Sequence, residues 1–160
     1  FATDALYKES GIALMSPPNA TQLNELRNRG GKIIVVHGTS DPIFSIDDTA
    51  AWYQALDAHH GGKANSFARF FPVPGMGHSR GGPATDQFDA LSALVDWVEQ
   101  GKAPDSILAA SRSTGNMGGA NADLPSTWPS NRTRPLCPYP LVARYKSGDK
   151  EQASSYQCTQ

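Results

Sequence analysis

Four consecutive β-branched apolar residues, Ile33, Ile34, Val35 and Val36, rise out of a polar stretch and end at His37-Gly38. A run apolar on both sides of the pleat predicts a parallel strand buried on both faces, not a half-solvated one. Upstream, residues 21–29 are polar with Leu23 and Leu26 three apart and Gly30-Gly31 behind them, the pattern of a short helix. Downstream, residues 45–48 offer caps for a helix reaching about His59, with Ala51, Trp52, Ala55 and Leu56 on one stripe and Gly61-Gly62 as its stop. "SFARFFPV" predicts a second strand. After a Pro/Gly-rich loop, Thr85 or Asp86 is expected to cap a further helix, in which Phe88, Leu91, Leu94, Val95 and Val98 recur at helical spacing up to Gly101.

The resulting order is strand, loop, helix, strand, loop, helix, which predicts an α/β architecture with a mainly parallel sheet. Two such units fall short of a doubly wound sheet, so the chain reads as the end of a larger α/β domain. Beyond Arg112 the sequence is rich in Gly, Pro, Ser and Asn, without periodicity or repeat. The expected division is a lead-in segment with a short helix over 1–30, the α/β part over 31–112, and an irregular wrapping segment over 113–160.

Composition narrows the function classes. The 160 residues are 39% hydrophobic and 18% charged, enough to bury a core. Fourteen basic and 15 acidic residues leave a net charge of -1, and no basic run interleaves with aromatics, which argues against nucleic acid as a partner. No apolar run approaches the roughly 20 residues of a membrane span. The start, "FATDALYKESG", has no basic and apolar signal regions, but opening on Phe1 it is expected to be a processed protein or a piece of a longer one. Two cysteines, Cys137 and Cys158, lie in the loop-rich final third. Paired, they favour an oxidising compartment; unpaired, they are cytosolic thiols. Neither C-x-x-C spacing nor a nearby histidine supports zinc, and no metal site is expected.

The candidate chemistry is concentrated in "PGMGHSRGGPATDQF" (residues 74–88). Gly77-His78-Ser79-Arg80-Gly81 matches the G-x-S-x-G pattern of a nucleophile elbow, yet Ser79 fails on two counts. All four histidines, His37, His59, His60 and His78, lie before it, and Gly81, Gly82 and Pro83 separate it from the expected helix. His78 fits better as a general base on the loop after one strand, with Asp41 on the loop after the preceding strand. Both are then expected at the carboxyl edge of adjacent parallel strands, where open α/β sheets place their sites. Taken as residues alone, Asp41 is equally a turn residue before Pro42, and His78 equally a solvated loop histidine. Asp47, Asp48 and Asp86 read as helix caps, His59-His60 as a helix end, Trp52 and Trp97 as core, and Arg80 as solvated or bordering a substrate pocket.

"GGKIIVVHGTSDPIFSIDDTAAWY", "VPGMGHSRGGPATDQFDALSALVDWVEQGKAPDSILA" and "RTRPLCPYPLVARY", in that order and over most of the chain, resemble the C-terminal portion of the tannase and feruloyl esterase family. These are secreted or periplasmic serine esterases of α/β-hydrolase fold. The resemblance implies a partial α/β-hydrolase fold, with Asp41 as the acid of an H-G-x-x-D-P block and His78 as the base of a G-M-x-H block. "RPLCPYP" and "SSYQC" resemble the family's C-terminal disulfide, implying a Cys137–Cys158 bond, and His37 resembles its structural histidine. It further implies a small aromatic ester of hydroxybenzoate or hydroxycinnamate type as substrate, the N-terminal half of the same protein as partner, no nucleic acid, no membrane, and a secreted or periplasmic location. Substrate-binding residues stay unassigned.

Two departures accompany the resemblance. Ser79 stands where the family has a cysteine bonded to one just before the catalytic serine, so that active-site disulfide is not expected here. The nucleophile, the oxyanion hole and the substrate-selecting lid with its calcium site are expected upstream, leaving no cofactor in this chain and an inactive chain on its own. The rival expectation is a non-catalytic family member or an independent binding module.

Overall fold

The computed structural model describes residues 17–160, and the statements below concern those residues. The first sixteen residues of the expected lead-in lie outside the described residues. The remainder of the lead-in forms helix α1 (Asn24–Asn28), with Leu23 and Leu26 packed onto the core. Strand β1 (Ile33–Gly38) runs parallel to β2 (Ala68–Val73), Ile33 opposite Ala68 and Gly38 opposite Val73. Successive side chains of a strand point to opposite faces. Ile33, Val35, Ala68 and Phe70 therefore pack on one side, and Ile34, Val36, Phe71 and Val73 on the other. Both sides are covered, which is why the run from Ile33 to Val36 contains no polar residue.

Helix α2 (Ile46–His59) connects the two strands and covers the first face. Ser45 caps it, its Oγ accepting the Asp47 N–H at 3.2 Å, and Asp47 and Asp48 sit in the first turn, at the positive end of the helix dipole. The buried stripe differs from the expected one: Tyr53 and Leu56 are buried, whereas Ala51 and Ala55 are exposed and Trp52 is half-buried. A tyrosine ring removes far more apolar area from water than an alanine methyl. Its hydroxyl also donates to the Ala68 carbonyl at 3.0 Å, so Tyr53 takes the inward position.

Thr85 and Asp86 do not cap the second long helix. The chain first forms the two-residue strand β3 (Gln87–Phe88), and helix α3 (Ala90–Gln100) begins after Asp89, whose Oδ1 accepts the Ser92 N–H at 2.9 Å. Hydrogen bonds from the Ser92 hydroxyl and amide hold the Asp89 carboxyl below the usual carboxylate range. Ala90, Ala93 and Trp97 turn inward, while Leu91 and Val98 are exposed.

The expectation of a mainly parallel sheet holds only for β1 and β2. Strands β4 (Ile107–Ala110) and β5 (Thr133–Leu136) join β3 in an antiparallel sheet of order β3-β4-β5, and β6 (Val142–Tyr145) pairs antiparallel with β7 (Tyr156–Thr159). Parallel pairing needs a crossover that returns the chain to the starting end of the strand, and α2 supplies it for β1 and β2. The later strands are only two to four residues long and enter from the opposite direction. Nor is the segment over 113–160 irregular throughout, since it contains β5, β6 and β7. Cys137 and Cys158 form a disulfide, S–S 2.04 Å, that closes a span of 21 residues and ties the end of β5 to β7. No helix of the described residues is long and apolar enough to cross a membrane.

Candidate active site

The carboxyl ends of β1 and β2 face the same edge, and the loops leaving them are locked together. The Ser40 amide donates to the Met76 carbonyl at 3.0 Å, and the Gly75 amide to the Thr39 hydroxyl at 2.9 Å. This approach requires glycine at position 38, because a Cβ there would run into the Met76 carbonyl.

Asp41 leaves the first of these loops and His78 the second. His78 Nδ1 lies 2.9 Å from Asp41 Oδ2, with the carboxylate 4% exposed and the imidazole 44% exposed. An ionised carboxylate only accepts, so the hydrogen bond places the proton on Nδ1 and leaves Nε2 as a free acceptor. The other carboxylate oxygen, Oδ1, accepts the amides of Ile43 at 2.8 Å and Phe44 at 3.1 Å. Burial pushes the Asp41 carboxyl up, but the bonds from His78 and these two amides outweigh it and hold the group well below the usual carboxylate range.

His37, expected in a hydrogen-bonded core role, lies against the same carboxylate: its Nε2 is 3.2 Å from the Phe44 carbonyl and 3.3 Å from Asp41 Oδ2. Its Nδ1, 2.8 Å away, accepts from the Thr49 hydroxyl, which fixes the ring. Phe44 is 60% exposed, and its ring centroid lies 5.5 Å from that of His78. Neither the His37–Asp41 contact nor Phe44 was singled out from sequence, where a single apolar residue in a loop is an ordinary occurrence. A cleft of about 540 Å³ opens here, lined by Val36, His37, Asp41, Phe44, Met76 and His78 among others. A larger groove of about 820 Å³ lies near Arg69, where β2 begins, and no histidine lines it.

Ser79 is exposed and adopts a left-handed backbone, φ 66°, within a turn closed by the Gly77 amide and the Gly81 carbonyl at 3.2 Å. The next element is the short strand β3 and not a helix, so the strand, serine, helix sequence of a nucleophile elbow is not formed. Arg80 is likewise exposed. Asp86 is a buried partner of Arg112, at 2.8 Å. His60 is buried between α1 and the segment before β2, its ring stacked edge-on against Phe67. Among the described residues no three His, Cys, Asp or Glu side chains converge closely enough to hold a metal ion.

The model of the family described as "Tannase and feruloyl esterase" matches residues 4–159. The chain belongs to this family. It is 51% identical over 140 residues to a mono(2-hydroxyethyl) terephthalate hydrolase from Piscinibacter sakaiensis, covering 87% of this chain and 21% of that protein. It is 34% identical over 140 residues to a probable feruloyl esterase from Arthroderma benhamiae, covering 85% of this chain and 24% of that protein. Among solved structures it resembles an esterase from Aspergillus oryzae, with TM-score 0.75 and 24% identity, over 97% of this chain and 32% of that one. Feruloyl esterase B from Aspergillus oryzae gives a TM-score of 0.67 at 26% identity, over 87% and 29%. The chain thus shares an α/β-hydrolase-like fold with these family members, and spans between about a fifth and a third of their length.

Proposed function

We propose that this chain carries the acid and base of a Ser-His-Asp triad in a carboxylic-ester hydrolase whose serine lies outside these 160 residues. The carrying observation is the Asp41–His78 hydrogen bond of 2.9 Å, with the carboxylate buried and the imidazole open to a cleft. Asp41 holds the tautomer with hydrogen on Nδ1. Nε2 then takes the proton of the attacking serine hydroxyl as the serine oxygen bonds to the ester carbonyl carbon. The tetrahedral intermediate collapses with cleavage of the carbonyl–alkoxy bond, and His78 returns the proton to the departing alcohol. Water repeats the cycle on the acyl-enzyme, releasing the acid. Asp41 stays ionised throughout and stabilises the imidazolium, a role for which its depressed pKa suits it.

An aromatic acyl group is the proposed substrate class, supported by the exposed Phe44 ring beside His78 and by the names of the relatives. A secreted or periplasmic location is proposed from the Cys137–Cys158 disulfide, since such bonds persist in oxidising compartments. The test is hydrolysis of methyl gallate and of a chromogenic aryl ester by the full-length protein. His78→Ala and Asp41→Asn should each lower kcat by on the order of 10³-fold or more. Wild-type turnover in folded His78→Ala protein would remove His78 from the reaction.

A further inference from the structure

The loop that carries His78 is poorly suited to hold a base in place by itself. Residues 74–83 contain four glycines, of which Gly75, Gly81 and Gly82 have positive φ, as does Ser79. Such a segment has many backbone conformations to lose on ordering. One bond within it, from the Gly77 amide to the Gly81 carbonyl, closes the turn, and further order comes from outside. The Gly81 amide donates to Asp86 Oδ2 at 2.9 Å, the Gly82 amide to Asp123 Oδ2 at 2.8 Å, and the Gly82 carbonyl accepts from Asn121 Nδ2 at 2.9 Å.

Asp86 is fully buried and Arg112 nearly so. Arg112 donates through Nε and a terminal nitrogen to the same Oδ2, at 3.2 and 2.8 Å, and its other terminal nitrogen donates to the Gly118 and Gly119 carbonyls at 3.0 and 2.6 Å. Three donors, one of them the Gly81 amide, crowd onto one oxygen, while Oδ1 is buried with no partner among the described residues. A buried ion pair is a weak source of net stability, because desolvation offsets the Coulomb attraction. What this pair does supply is geometry: it fixes one peptide of the base loop relative to the segment over 112–123.

We infer that Asp86, Arg112 and Asp123 are positioning residues for His78, holding the 81–82 peptides so that Nδ1 stays within hydrogen-bond reach of Asp41. This rests on the proposed role of His78 as base, and it adds the segment over 112–123 to the machinery without contact with substrate. Positioning shells of this kind act on the reacting step more than on substrate binding.

The experiment uses the full-length protein with Asp86→Asn and Asp123→Ala, and Asp105→Asn as a control at an exposed carboxylate outside the network. Two readouts are taken: kcat and KM on an aryl ester, and the low-field proton resonance of the His78 Nδ1–H, which requires no turnover. Both variants should lower kcat by about 10- to 100-fold with KM within about twofold, a loss of the size that a misplaced group produces. Both should also broaden or abolish the Nδ1–H resonance, and the control should change neither. Asp123 is exposed, so Asp123→Ala decides the matter if Asp86→Asn does not fold. Folded variants with wild-type kcat and an unchanged resonance overturn the inference. Should His78→Ala retain full hydrolysis, the triad reading falls, and the resonance alone decides whether the network positions the imidazole.

Discussion

Three donors converge on the Asp41 carboxylate: the imidazole of His78 and the amides of Ile43 and Phe44. Their combined effect outweighs burial and lowers its pKa. A carboxyl group whose folded pKa lies below its unfolded value of about 3.9 stabilises the fold fully above that value, and the contribution fades as pH falls through the folded pKa. Wild-type protein should therefore be more stable than Asp41→Asn at neutral pH, with the two melting curves converging on acidification below about pH 4. Parallel curves over that range would show that the donors do not favour the charged form. Asp41 and His78 could be nominated in sequence because each follows a strand pattern closely, but taken as residues alone a turn aspartate and a solvated loop histidine stayed equally open, and it was the family resemblance that favoured the pair. The role of Asp86 could not be read there. Its ion-pair partner, Arg112, is 26 positions away, and pairing across a fold leaves no periodic trace in a sequence, so the local reading of an Asp before an apolar stripe as a cap prevailed.

At the level of elements, the apolar run of β1 and the capped pattern of α2 were legible because each is set by its own residues: a β-branched run, a serine cap, a glycine stop. The inward face of α3 was less so. Periodicity announces a helix, but which stripe is covered depends on the neighbours, and here Ala90, Ala93 and Trp97 meet the core while Leu91 and Val98 remain exposed. The β6–β7 hairpin was missed because its strands are four residues each and all of β6 is exposed, so no alternation of burial marks it. Two strands alone are marginal in water. The Cys137–Cys158 bond anchors this hairpin to β5, and removing a cross-link over 21 residues should lower stability by about 3 kcal/mol. Urea unfolding of the Cys137→Ser/Cys158→Ser double variant measures it. A loss well under about 1 kcal/mol would mean that packing against β5, and not the cross-link, holds the hairpin.

On the scale of the whole molecule, the described residues bring the Asp41 carboxylate and the His78 imidazole together, and the triad proposed for them still needs its serine. A nucleophile within hydrogen-bond reach of His78 Nε2 and donors aimed at the developing oxyanion are both required. Ser79 adjoins the base in sequence, but its exposed left-handed turn lacks the helix that would support an elbow. Strand β1 pairs only with β2 among the described residues, leaving its other edge open, and the outer face of α3 carries exposed Leu91 and Val98. The expected outcome is that the purified 160-residue chain gives no enzymatic turnover of methyl gallate or of an aryl ester. Turnover should appear when the preceding part of the protein is supplied, and should vanish with His78→Ala but persist with Ser79→Ala. Because a triad without its serine retains only what binding and oxyanion donors contribute, the isolated chain has little left to act with. Robust turnover by the chain alone, abolished by Ser79→Ala, would make Ser79 the nucleophile and overturn this division of the triad.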